Sequence, residues 1–304
     1  MTDLNGTAQA SNSGKAYLLL TVTALCWAGN AIFSRLAVGE ISPLGLVTFR
    51  WLTVVLLLAV FAREPLRRDW PILRRHLPFA LAMGALGFTA FNALFYVAAH
   101  STTAVNIGIL QGAIPVFVLL GAFAAYRDRV TPLQGAGVLV TLIGVVIVGS
   151  GGDLGRLAAL TLNPGDLLMI LAGLLYAGYT VALRRRPEVS SLSLFAVMAV
   201  GAFLTSLPLA AVEVALGHFR WPTAIGWVIV ALVALLPSLL AQISFMQGVR
   251  LIGPGRAGVF VNLVPIFAAI LAVTFLREPF EAFHALALGL VLGGIWISER
   301  GKKA

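Results

Sequence analysis

Five side-chain amides, Asn30, Asn92, Gln111, Gln242 and Asn262, lie inside long apolar stretches of the chain. An amide carries donors and acceptors that hydrocarbon cannot satisfy, so each needs a partner inside a helix bundle or on a solute that enters it. Their neighbours form stripes at helical spacing. Trp27, Asn30 and Ser34 share one face, and Phe88, Asn92 and Tyr96 another, with Phe95 beside them; Gly108, Gln111, Gly112 and Pro115 align further on. Later stretches carry Tyr176 with Tyr179, then Ser238, Gln242 and Met246, then Gly258, Asn262 and Pro265. Such stripes offer reversible recognition: amides and hydroxyls for a polar head group, aromatic rings and Met for an apolar body. Helix-to-helix hydrogen bonding is the alternative use of such amides. Catalysis would require clustered His, Asp or Glu near an interface, a nucleophile motif or a phosphate loop, and the sequence shows none of these. No catalytic residue, metal site or cofactor is expected, and the chain reads as a non-enzyme.

The elements that must position these residues are membrane spans. Of 304 residues, 60% are hydrophobic and 11% charged, and the mean hydropathy is +0.97, a balance that suits a membrane bundle and not a soluble domain. Continuous apolar runs of about 20 residues match helices across a layer of roughly 30 Å; a spanning barrel would show short alternating segments instead. The first run continues past Trp27 and Asn30 to about Leu36 without a cleavage pattern, so it is expected to be a retained helix and not a signal peptide. Nine more spans are expected at about 43–62, 78–98, 102–125, 131–150, 165–183, 192–213, 226–248, 256–276 and 280–298. The expected fold is therefore all-α and integral to the membrane, with ten helices and a lipid bilayer as surroundings. Cys26 is the single cysteine, which excludes an intramolecular disulfide.

Two connections are long enough to serve as linkers, the Arg-rich 63–77 stretch and the Gly-rich segment Ser150–Pro164. The net charge of +9 comes from Lys and Arg in short loops, which the positive-inside rule explains without nucleic acid. With the N-terminus cytoplasmic, sixteen Lys and Arg fall inside and four outside, Arg50 alone lying within a span. Both termini are expected in the cytoplasm. Arg50 is about 10 Å into the second span at 1.5 Å per residue, and reads as a structural ion pair or an outer-gate residue. The other spans place no Lys, Arg, Asp or Glu at the midplane: Asp166 starts a helix and Glu213 is near an outer end. A phosphorylated or strongly anionic solute would call for such cations. Proton coupling usually relies on an intramembrane carboxylate or histidine, so facilitated diffusion is the expectation, His100 near the outer face being the exception to watch.

Proline interrupts the helix ladder and frees the carbonyl four residues earlier. Pro115 and Pro265 would free those of Gln111 and Val261, where an ammonium group could dock, and Gly87 with Pro237 marks a second pair of weak points. Gly87, Gly108, Gly112, Pro115, Pro237, Gly258 and Pro265 are accordingly expected to kink or gate. Gly289 and Gly293 read as a packing face.

These features repeat. At an offset of 150, Gly108 and Pro115 pair with Gly258 and Pro265, Phe95 with Phe245, Phe117 with Phe267, Arg127-Asp128 with Arg277-Glu278, and Gly144 with Gly294. Near the start the offset is 149, and Trp27-Ala28-Gly29-Asn30 faces Tyr176-Ala177-Gly178-Tyr179. Five spans per half is an odd number, so the halves would cross the membrane in opposite directions, an arrangement of secondary transporters. The division is a tail over 1–15, a first repeat over 16–150, an extracytoplasmic linker over 151–164, a second repeat over 165–298 and a tail over 299–304, the tails cytoplasmic.

Trp27-Ala28-Gly29-Asn30, Pro115 and Pro265, and the turns Arg127-Asp128 and Arg277-Glu278-Pro279 together resemble the drug/metabolite transporter superfamily, in its ten-helix EamA-type members, over nearly the whole chain. Within it the chain looks most like bacterial inner-membrane exporters of aromatic amino acids. The resemblance implies a central cavity lined by spans 1, 3, 4, 6, 8 and 9, with spans 5 and 10 behind. The stripes on those spans make Trp27, Asn30, Phe88, Asn92, Tyr96, Gln111, Tyr176, Tyr179, Ser238, Gln242, Met246 and Asn262 the expected cavity lining. The expected function is alternating-access export, by facilitated diffusion, of neutral or zwitterionic metabolites, with amino acids of large apolar side chain as the expected substrates and without an obligate protein partner. A proton-coupled exporter of lipophilic cations is the competing expectation, and a membrane-embedded enzyme the one from another class.

Overall fold

The computed structural model describes residues 2–127, 130–153, 155, 163–252 and 254–301. Asp128, Arg156, most of the expected 151–164 linker and the end of the 299–304 tail lie outside the described residues. Those described build a helical bundle in which nine helices are long and apolar enough to cross a membrane.

Helix α1 covers Thr2–Leu36, its apolar part being Gly14–Leu36, so the polar segment expected as a tail is continuous with the first span. It is followed by α2 (Pro43–Phe61), α3 (Arg63–Leu73), α4 (Leu77–Ala98), α5 (Ala104–Tyr126) and α6 (Pro132–Gly149). The rest of the chain forms α7 (Pro164–Arg185), α8 (Ser191–Ala215), α9 (Ala224–Ile252), α10 (Pro254–Val261), α11 (Leu263–Leu276) and α12 (Ala282–Arg300). Large apolar side chains such as Val60, Leu139 and Phe275 face outward, which a lipid-facing surface tolerates and a water-facing one does not.

Where the helices depart from regularity, the sequence explains it. The expected span 256–276 is two pieces, α10 and α11, divided at Asn262; α5 is interrupted in the same way at Ala113. Each break sits just ahead of a proline, where the missing N–H removes a ladder bond. Helices α4 and α9 instead loosen into π-helical turns over Ala85–Ala90 and Ala234–Leu240, which contain Gly87 and Pro237. Pro237 cannot bond the carbonyl of Val233, and the Ser238 hydroxyl donates to it instead at 2.6 Å.

Helix α3 corrects the reading of 63–77 as a linker. Its residues Leu66, Asp69 and Leu73 share a face turned into the protein, while Arg67, Arg68 and Trp70 do not, an amphipathic pattern that stabilises helix wherever one side can pack. Asp69 accepts a hydrogen bond from the Ser190 backbone N–H at 2.9 Å, at the start of α8. At the other end of the same helix pair, Glu213 of α8 accepts from the N–H groups of Leu44 and Gly45, at 3.3 and 3.1 Å, at the start of α2. A carboxylate at a helix N-terminus satisfies orphan donors and opposes the dipole. Helices α2 and α8 are thus neighbours that run in opposite directions, each capped by an acid carried on or just beyond the far end of the other.

Helices α6 and α12 form the most extensive helix pair in the fold. Here the packing glycines differ from those expected. A Cβ on Gly289 or Gly293 would meet nothing within 4 Å, whereas one on Gly294 would overlap Thr141 Oγ1 and the Gly137 carbonyl, and one on Gly137 would lie 2.7 Å from Ser298 N. The small-residue spacing was present, but it sat on the wrong face of α12.

Gly294→Ala should therefore destabilise the protein by about 1–3 kcal/mol, because rigid backbone must move, while Gly289→Ala and Gly293→Ala should be neutral or slightly stabilising through helix propensity; thermal melting in detergent separates the two cases. A second outcome concerns Asp69. Burial alone would raise its pKa, yet hydrogen bonds from the Ser190 N–H, the Ser193 and Ser190 hydroxyls and Arg68 hold it at about 2, below the ordinary 3.8. A lowered carboxylate pKa stabilises the fold above the unfolded value and loses that contribution as pH falls through the folded one. Asp69→Asn should melt earlier than the wild type at neutral pH, with the gap closing between about pH 4 and pH 2.

Candidate functional site

Arg50 gathers polar residues from three other helices. The residue is 5% exposed, on α2. Its Nε donates to Ser238 Oγ of α9 at 2.7 Å. Nη1 donates to Asn92 Oδ1 of α4 at 2.7 Å, to Asn30 Oδ1 of α1 at 3.2 Å, and to the Tyr96 hydroxyl of α4. Tyr96 in turn donates to Asn30 Oδ1 at 3.1 Å, and Asn92 Nδ2 donates to the Phe88 carbonyl at 2.6 Å. Each member has its geometry fixed by its own helix: the π-helical turn of α9 carries Ser238, and the one in α4 ends immediately before the turn that presents Asn92.

The expected ion pair of Arg50 is replaced by a shell of neutral oxygens. Among the described residues, no carboxylate approaches it within salt-bridge distance. Ionised groups buried in a membrane protein are normally paired or hydrogen-bonded because the low dielectric penalises an isolated charge. Here hydrogen bonds supply the compensation. The rings of Trp51 and Tyr96 add their π faces, with the guanidinium carbon 5.4 and 5.9 Å from their centroids.

An aromatic wall adjoins this cluster. Phe88 stacks on Trp51 with centroids 4.7 Å apart and planes 10° from parallel, and it meets Tyr179 at 5.6 Å and Phe195 at 5.8 Å. Tyr179 continues to Tyr176 at 5.3 Å, which contacts Phe91 at 5.0 Å. Gly87 permits this approach, since a Cβ there would overlap the Tyr179 ring.

Six of the anticipated lining residues thus converge directly or through rings: Asn30, Phe88, Asn92, Tyr96, Tyr179 and Ser238, with Tyr176 one ring further on. The others lie elsewhere. Trp27 packs on Phe245 at 5.4 Å, near a small apolar cluster of Ala24, Ala28, Val264 and Ala268. Gln111, Gln242 and Asn262 are half-buried and make no side-chain hydrogen bond among the described residues; Gln111 Nε2 is fully buried without a partner. Met246 is half-buried on α9. Of the residues expected to kink, Gly108 and Gly112 bring α5 against Ala268, Pro265 and Val291, Pro115 and Pro265 follow the two breaks, and Gly258 faces open space. Two surface depressions, of about 340 and 640 Å³, lie over Leu66, Arg67 and Trp70 and over Val60, Phe61 and Arg63, on α2 and α3 away from the polar cluster.

The structure also buries a polar chain that sequence reasoning passed over. Asp166 of α7 accepts from Thr102 Oγ1 and from Asn106 Nδ2 at 3.1 Å, and the Asn106 carbonyl oxygen lies 3.2 Å from His284 Nε2 of α12. His284 Nδ1 accepts from the Glu281 N–H at 2.9 Å, which fixes Nε2 as the protonated nitrogen. Nearby, Glu278 accepts from the N–H groups of Ala104 and Val105 at 3.0 and 3.1 Å and pairs with Arg35 at 3.6 Å. Burial and the neighbouring Arg35 lower the pKa of His100, which favours its neutral form.

Tyr96→Phe removes a charge-assisted hydrogen bond and its onward bond to Asn30 while keeping the ring. It should lower stability by about 1–3 kcal/mol, whereas Tyr176→Phe, whose hydroxyl makes no hydrogen bond among the described residues, should stay within about 0.5 kcal/mol. Melting of the two purified variants side by side measures the difference.

Comparison with known proteins agrees with a bundle of this kind. The chain is 28% identical to the uncharacterized transporter YetK of Bacillus subtilis, over 95% of this chain and 88% of that protein. It is 30% identical to an uncharacterized transporter of Archaeoglobus fulgidus, over 94% and 98%. The uncharacterized inner membrane transporter YedA of Escherichia coli is 24% identical over 91% and 88%. A solved crystal structure shares the fold with a TM-score of 0.61 and 21% identity, covering 93% of this chain and 96% of that one. The sequence model of the EamA-like transporter family matches residues 14–150 and again 163–299, and this protein, a multi-pass membrane transporter, belongs to that family.

Proposed function

We propose that the protein exports neutral or zwitterionic metabolites, chiefly aromatic and other large neutral amino acids, across a bacterial inner membrane by alternating access. The observation that carries this reading is the polar cluster around Arg50 set against an aromatic wall, in an otherwise apolar bundle. Amide and hydroxyl groups suit a small polar head group, and the rings of Phe88, Tyr176 and Tyr179 suit a flat apolar body. Trp27, Gln111, Gln242, Met246 and Asn262 complete the lining in this proposal, exposed to substrate as the bundle opens.

The proposed topology is ten spans in two inverted five-helix repeats, over 16–150 and 165–298, with both termini cytoplasmic. Support comes from the two family matches, from the opposite directions of α2 and α8, and from the paired π-helical turns in α4 and α9. Arg127 and Arg277 also adopt the same left-handed conformation, with φ of 57° and 53°. On this topology α10 and α11 together make the ninth span.

Facilitated diffusion is the proposed mode, since the Arg50 cluster contains no carboxylate or histidine. The chain Asp166–Asn106–His284 favours a second reading, proton-coupled export of lipophilic cations, because it links a buried acid through an amide to an imidazole, two groups that can carry protons.

Purified protein in proteoliposomes should carry labelled Phe, Trp or Thr, and an imposed proton gradient should leave the uptake unchanged. Absence of flux for every neutral amino acid would sink the substrate class; accumulation driven by pH would sink facilitated diffusion. Gln111→Ala and Asn262→Ala should both reduce transport while membrane insertion is intact, and normal transport by both would move the site away from these breaks.

A further inference from the structure

We propose that Arg50 is the anchor for a carboxylate on the transported solute, and that the site selects molecules carrying that group. This rests on the amino-acid reading above and narrows it, since it makes the carboxylate and not the ammonium group the feature recognised.

The argument is one of unmatched donors. Arg50 presents five N–H groups, and among the described residues they meet four neutral oxygens and no anion. Nη2 makes no hydrogen bond among those residues. Among the described residues the fully buried side-chain polar atoms without a partner are Trp51 Nε1 and Gln111 Nε2, and both are donors. Trp51 adjoins Arg50 in sequence, and its ring lies 5.4 Å from the guanidinium carbon. One buried positive charge and an unused indole N–H therefore occur together, with an excess of donors over acceptors. The two hydroxyls in the shell act toward Arg50 as acceptors alone, since Ser238 Oγ donates its proton to the Val233 carbonyl and Tyr96 donates its own to Asn30.

A group that matches this surplus is negative, accepts several hydrogen bonds and is small. A carboxylate meets all three conditions. A cation does not, since it would face the guanidinium without a compensating anion. The Trp51–Phe88 stack, continued by Tyr179 and Tyr176, then lies where an aromatic or large apolar substituent of the same molecule would rest. An isolated inorganic anion would leave that surface unused.

The test uses reconstituted full-length protein and three probes of similar shape: phenylalanine, phenethylamine, which lacks the carboxylate, and 3-phenylpropionate, which lacks the ammonium group. Phenylalanine and phenylpropionate should both raise the melting temperature of the wild type and both be carried, and phenethylamine should be carried at least about tenfold less well. Arg50→Gln should remove that preference, Arg50→Lys should retain part of it, and Trp51→Phe, which keeps the ring and deletes only the N–H, should weaken binding of the two carboxylates. The wild-type comparison holds even if an Arg50 variant fails to fold. Equal transport of phenylalanine and phenethylamine, or a carboxylate preference that survives in folded Arg50→Gln, would overturn the anchor and leave the amino-acid reading standing. Stabilisation and transport of phenylpropionate with neither for any amino acid would support the anchor and remove the amino-acid reading.

Discussion

The rest of the interior follows from one requirement, that a guanidinium held at 5% exposure in an apolar bundle must be surrounded by oxygen. Hydrocarbon supplies none, so the oxygens come from side chains on α1, α4 and α9. Three other helices, two of them distant in sequence, are thereby tied to α2 at one point. The shell is built from amides and hydroxyls, which bring no countercharge. Its members are consequently oriented toward Arg50 while the charge itself is still formally unneutralised, a different situation from a buried ion pair, where the two charges largely cancel.

Reaching that point costs the helices their regularity. Ser238 serves twice, capturing the Val233 carbonyl that Pro237 leaves free and accepting from Arg50 Nε. The hydroxyl that repairs the backbone defect is thus the one that joins the cluster. In α4 the matching turn contains Gly87, whose lack of a side chain lets Tyr179 approach Phe88 and extend the aromatic wall. π-Helical turns are rare in proteins and concentrate at functional sites. Among the described residues two of the three stand in helices that send side chains to Arg50, and the third, Ala272–Leu276, ends α11.

The sequence made some of this legible and hid the rest for physical reasons. Asn30, Asn92, Tyr96 and Ser238 stood out because a polar residue in an apolar helix demands a partner, whatever the tertiary arrangement. The breaks at Ala113 and Asn262 were legible because proline acts locally. Arg50 was visible as a buried charge, but its helix has no polar stripe, and a search for its partner among acids fails when the partners are neutral. Asp166, Asn106 and His284 each sit in the first turn or so of a different helix, where a polar residue ordinarily meets water; only tertiary packing brings them together. The small-residue pair Gly289 and Gly293 misled because spacing shows that residues share a face and does not say which face is covered, and it is Gly294 that meets α6.

The bundle therefore contains two kinds of helix contact. Helices α6 and α12 meet through glycines with backbone nearly touching backbone, and α2 and α8 are clamped at both ends by Glu213 and Asp69. Close-packed contacts of that kind move as rigid units, because sliding them forces atoms to overlap. In contrast, α4, α5, α9 and the α10–α11 pair already have interrupted hydrogen-bond ladders, and a change of bend there breaks fewer bonds than in a regular helix. Any rearrangement that opens the Arg50 cluster would thus be absorbed by these helices while the α2–α8 and α6–α12 pairs hold their shape. Arg50 itself sits on the clamped α2, with most of its oxygen shell on the distorted α4 and α9, so bending those two would remove ligands from a charge that stays in place and increase its demand for an anion as the cluster opens.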